Sequence, residues 1–94
     1  MKYSRILWDE VDDPHGNVSH IAEHDLTVDD VAEVLGAPVS EGASDSTGFP
    51  AVWGYVSDGR FIIVVFEEID DDTIRVITAY EVPEPKRRLR RRRK

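Results

Sequence analysis

The sequence predicts a single α+β domain in the order β-α-α-β-β-β, followed by a short basic tail. Three observations predict it. Apolar residues recur at helical spacing only over residues 17–36, where the two helices are expected. From Phe49 onward the pattern changes to short apolar runs rich in β-branched residues, separated by turn formers. Between two of those runs stands Asp58-Gly59, the strongest short-range signal for a hairpin. Ninety-four residues are enough for one modest core.

The first run, "KYSRILWD", has strand composition and is followed by the turn-rich "EVDDPHG". The first helix is expected over "NVSHIAEH", with Asn17 as N-cap and with Val18, Ile21 and Ala22 on one face. The second helix is better marked. Thr27 caps "VDDVAEVL", Asp30 stands at the third helical position, and Asp29 adds an anion to the first turn, where the helix dipole favours it. Val28, Val31, Ala32 and Leu35 form its stripe, and Gly36 and Pro38 end it. "VSEGASDSTG" reads as a loop on composition. Then come the strands "FPAVWGYV", "RFIIVVFEE" and "TIRVITAY", of which the second is apolar on both faces and therefore central. These strands make an antiparallel meander, and the two short helices pack on one face of it.

Charge divides the chain at residue 85. All 19 acidic residues lie between Asp9 and Glu84, with only Lys2, Arg5, Arg60 and Arg75 as cations before the tail. Residues 1–85 thus carry −15, whereas residues 86–94, "KRRLRRRRK", carry +8 and bring the total to -7. An acidic body repels phosphate, so any affinity for nucleic acid has to come from a small local patch or from the tail, where Lys86, Arg87, Arg88, Arg90 and Arg91 begin the basic run. The absence of cysteine excludes disulfides and thiolate metal sites. "FIIVVF" is too short to cross a bilayer, and the first ten residues lack the apolar stretch of a signal peptide, so a cytoplasmic protein without a membrane partner is expected.

Several constellations bear on chemistry. "HIAEH" places His20 and His24 one helical turn apart with Glu23 beside them, a spacing used by some zinc peptidases. No third ligand stands out, so no metal and no cofactor are expected. The acidic "EEIDDD" lacks the alternating ligands and glycine of a calcium loop and reads as a solvated hairpin tip. Trp8, Trp53 and Tyr55 read as core or rim aromatics before they read as base-stacking platforms. Arg75 is a lone cation in an apolar strand, read either as half of an ion pair or as a functional cation.

In order and wording, "WDE…N…HIAEHDLTVDDVAEVL", "DGRFIIVVFE" and "IRVITAYEVP" together resemble the BrnT family, RelE/ParE-like toxins of bacterial type II toxin–antitoxin pairs. The resemblance covers residues 6 to about 83. Asn17, His24, Arg60 and Arg75 match the family's Asn, His, hairpin Arg and closing-strand Arg. Glu23 and Tyr80 stand where the family has lysine and a second arginine, and the proline-flanked tail replaces the family's Glu-Arg and terminal Tyr. The resemblance implies a RelE/ParE-like fold for residues 1–85 and a metal-independent RNA endonuclease neutralised by a cognate antitoxin. In that reading Arg75 is the cation at the scissile phosphate, Tyr80 or His24 moves protons, and Arg60 and the tail bind RNA. The alternative is a catalytically silent member that binds a partner or nucleic acid through the tail.

Overall fold

The computed structural model describes residues 4–45 and 47–84. Its elements are β1 (Arg5–Leu7), α1 (Asn17–Ala22), α2 (Val28–Gly36), β2 (Ser40–Ala43), β3 (Pro50–Tyr55), β4 (Phe61–Asp70) and β5 (Thr73–Glu81). They form one five-stranded sheet in the order β1-β5-β4-β3-β2. The α+β class is as expected, but the sheet is mixed. β1 pairs parallel with β5, through Arg5–Thr73, Ile6–Ile74 and Leu7–Arg75, while the pairs β2–β3, β3–β4 and β4–β5 are antiparallel.

Two expectations are corrected here. The sheet is not a purely antiparallel meander, because β1 takes the edge beside β5 and pairs with it in parallel. The stretch expected as a loop contributes β2, because "SEGA" pairs from Ser40–Trp53 to Ala43–Pro50. All four β2 residues are exposed. Backbone bonds to β3, rather than burial, hold this strand.

α2 forms as its sequence directs. The Thr27 hydroxyl accepts from Asp30 N–H at 3.1 Å, and the Asp30 carboxylate accepts from Thr27 N–H at 3.0 Å, closing a capping box. Val31, Val34 and Leu35 are buried, whereas Ala32 is exposed. α1 is shorter than expected and starts differently. Gly16 is its N-cap, Asn17 is its first residue, and the helix ends at Ala22, leaving His24 in the following turn. Asp25 makes that turn in the left-handed region, with φ of 65°.

The helices cover one face of the sheet. Ile21, Leu26, Val31, Val34 and Leu35 meet Val52, Ile62, Val64, Phe66, Ile74, Val76 and Ala79. On the other face Ala51, Ile63 and Val65 lie under Trp53, Ile77, Tyr80 and Val82. Val76 and Ala79 are three residues apart yet share the helix face, so alternation breaks between them. The break is a bulge: Val76 faces Phe66 and Thr78 faces Val65, with Ile77 left without a cross-strand partner. Strict alternation from Ile74 and Val76 would turn Thr78 toward the helices; the bulge sets it across from Val65 on the open face.

Candidate active site

β1 covers only the first part of β5, through Arg75. Beyond that point α1 packs along the exposed edge of β5 in place of a strand. Asn17 makes the junction. It is 4% exposed, and its Nδ2 donates to Leu7 O and to Val76 O, each at 3.0 Å. Its Oδ1 accepts from Asp9 N–H at 2.8 Å, and its own N–H donates to Asp9 Oδ2 at 2.8 Å. One side chain therefore satisfies backbone groups of β1, β5 and the connecting loop. The sequence reading gave Asn17 a capping role; its actual role is to bridge two strands from the first position of a helix.

Asp9 completes the junction with Arg75. Arg75 Nη1 donates to Asp9 Oδ1 at 3.0 Å and Nη2 to Asp9 Oδ2 at 2.8 Å, a bidentate pair. The side chains are 38% exposed for Arg75 and 22% for Asp9, so the pair sits at the surface with the guanidinium partly accessible. The hydrogen bond from Arg75, and then that from the Asn17 N–H, hold the Asp9 carboxyl below the usual carboxylate range. The Arg75 guanidinium is correspondingly raised, chiefly by the same bond to Asp9. Gly16 is needed beside them because a Cβ there would stand 2.6 Å from the Asp9 Cβ.

A cleft of about 170 Å³ opens next to this pair, lined by His15, Gly16, Asn17, His20, Arg75, Val76 and Ile77. His20 and His24 are both exposed. Their rings meet edge-on with centroids 5.5 Å apart, and the His24 ring lies 5.8 Å from that of Tyr80. Imidazoles and phenol thus run in a row from the cleft along the β5 edge. The bulge at Ile77 puts Arg75 and Tyr80 on the same open face, across from Glu67 and Ile63 respectively. Tyr80 packs on the Ala51, Ile63 and Val65 cluster and does not line the cleft.

The other predicted site residues lie elsewhere. Arg60, at the β3–β4 hairpin, donates from Nε to Asp58 Oδ2 at 2.9 Å and from Nη1 to Asp25 O at 3.0 Å, with Asp30 Oδ2 3.9 Å from its Nη2. It ties the hairpin to the turn after α1, and its bond to Asp58 raises its pKa while lowering that of Asp58. Lys86, Arg87, Arg88, Arg90 and Arg91 lie outside the described residues. Among the described residues no third ligand joins a histidine pair to make a metal centre.

Sequence reasoning overlooked His15, the cleft position of His20 and the part played by Asp9. One signal was available: all three histidines of the chain fall within residues 15–24. Against family models, curated proteins and solved structures, the chain finds no match.

Proposed function

We propose that this chain is a toxin-like protein of a type II toxin–antitoxin pair, a metal-independent RNA endonuclease neutralised by a cognate antitoxin, with residues 1–85 as a RelE/ParE-like domain. The observation that carries the reading is the bulge at Ile77, which turns Arg75 and Tyr80 to one face beside a histidine-lined cleft. Cleavage of RNA by its own 2′-hydroxyl needs a proton acceptor, a cation for the charge on the phosphorane, and a proton donor for the leaving oxygen. Arg75 has five N–H donors, and its bonds to Asp9 use two of them. The others are available to a phosphate oxygen. Tyr80 and His24, in ring contact, stand at the end of the same edge and are assigned to proton transfer or substrate positioning.

The test is cleavage of single-stranded RNA in excess chelator. Wild-type protein is expected to cut, and Arg75→Ala to lose a hundredfold or more, on the order of losing one charge stabiliser. Circular dichroism would establish that this variant is folded. Full activity in Arg75→Ala would remove the mechanism.

A second reading is favoured by one observation. Both family-matched arginines of the body are engaged by carboxylates, Arg75 by Asp9 and Arg60 by Asp58, within a body of net charge −15. In that reading the protein is catalytically silent and acts by binding a partner or nucleic acid through its tail. Wild-type protein that binds an antitoxin-like partner without cutting RNA would favour it.

A further inference from the structure

We infer that His15 and His20 are the proton-transferring pair of the β5-edge cleft, with His20 the acceptor and His15 the donor. The inference rests on the ribonuclease reading and, within it, moves proton transfer from Tyr80 and His24 to the two histidines that line the cleft.

Three facts carry it. His15, His20 and Arg75 line one cleft, so two imidazoles share a wall with the cation. Tyr80 and His24, the residues indicated by the resemblance, are absent from that wall. Both cleft histidines are exposed, and neither imidazole has a hydrogen-bond partner among the described residues. Their nitrogens are therefore available to substrate, unlike the Asn17 amide, whose donors and acceptor are committed to backbone.

Size and position define the substrate. A cleft of about 170 Å³ is smaller than the roughly 300 Å³ at which pockets begin to enclose whole small molecules. It suits a phosphodiester group with its flanking riboses outside. His20 stands on α1 and His15 on the loop before the Gly16 N-cap, so the two approach from different segments. The inference sets them on opposite sides of the phosphorus, with Arg75 at the charged oxygens.

The step balances without a co-reactant. The 2′-oxygen forms a bond to phosphorus as its proton passes to a neutral His20 nitrogen. The bond from phosphorus to the 5′-oxygen breaks as a protonated His15 gives that oxygen its proton. The products are a 2′,3′-cyclic phosphodiester and a free 5′-hydroxyl, and the two imidazoles return to their starting states by exchange with water.

The experiment compares His15→Gln, His20→Gln and wild-type full-length protein on two substrates in chelator. One is a single-stranded oligoribonucleotide; the other is uridine 3′-(4-nitrophenyl phosphate), whose nitrophenolate leaves without needing a proton. On the oligonucleotide both variants are expected to lose a hundredfold or more in kcat. On the nitrophenyl ester His15→Gln is expected to return close to the wild-type rate, while His20→Gln stays slow. A purely structural role for His15 would slow both substrates alike, and that result would overturn its assignment as donor. Wild-type rates for both variants on RNA would overturn the inference alone. Wild-type protein that cuts neither substrate would remove the ribonuclease reading, and this inference with it.

Discussion

Asn17 shows how much of a fold can rest on one amide. Replacing it with alanine leaves Asp9 N–H, Leu7 O and Val76 O without the partners they now have. An orphaned buried polar group costs about 1–3 kcal/mol, so Asn17→Ala is expected to lose about 3 kcal/mol in denaturant unfolding. A loss under about 1 kcal/mol would mean that water replaces the amide. Asp9 gives a prediction with a sign. Its carboxyl is depressed in the folded protein, chiefly by the Arg75 hydrogen bond, so it stabilises the fold above its unfolded pKa of roughly 3.9. That contribution is lost as pH falls through the lower folded value. Asp9→Asn is therefore expected to lower Tm at pH 7, and the gap to wild type should narrow as pH drops below about 4. A gap that stays constant down to pH 2 would mean the charge is irrelevant and only the shape of the side chain counts. At this scale the sequence was half legible. Arg75 stood out as an isolated cation, but its partner Asp9 lies 66 residues away and nothing local announces the pair.

The elements that were legible are those whose signals are local. Thr27 and Asp30 sit three residues apart and close their box within one turn, so α2 could be read directly. Thr27→Ala is expected to cost about 1 kcal/mol, measurable as a lower urea midpoint with unchanged slope. The hairpin at Asp58-Gly59 was legible for the same reason, and Gly59 has the positive φ, 97°, that its position requires. β2 was not legible, because Ser, Glu, Gly and Ala have little intrinsic strand preference and pairing with β3 decides the matter. The parallel pairing of β1 with β5 and the bulge at Ile77 were also hidden, since both depend on partners distant in sequence. The bulge matters most for the site: strict alternation puts Arg75 and Tyr80 on opposite faces, and one extra residue returns them to the same face. Gly16 controls the same junction from the helix side. A methyl group at Gly16 meets the Asp9 Cβ, close to the backbone and unable to swing away, so Gly16→Ala is expected to cost about 1–3 kcal/mol and to displace Asp9 from Arg75. Loss of the low-pH Asp9 titration in that variant, followed by NMR, would confirm the displacement; an unchanged titration would refute it.

At the scale of the whole molecule the decisive quantity is charge. The body's carboxylates oppose any polyanion, and Arg60 and Arg75 are each already paired with a carboxylate. In the ribonuclease reading, RNA affinity is therefore expected to come chiefly from residues 86–94, which carry eight cations and no acid. Binding of this kind is insensitive to base sequence and steep in salt. Each neutralised phosphate of a single strand contributes roughly 0.7 to the logarithmic slope, so a tail engaging most of its charges gives a slope between about −3 and −6. Removing residues 86–94 takes the net charge from -7 to −15. The truncated protein is expected to keep its circular dichroism spectrum, because the core lies within residues 21–79. It should lose measurable binding in fluorescence anisotropy with labelled RNA, and its Tm should recover with added salt as self-repulsion is screened. Binding that survives truncation would move the phosphate contacts onto the body, beside Arg75. A slope near zero would show that the tail's charges meet something other than phosphate.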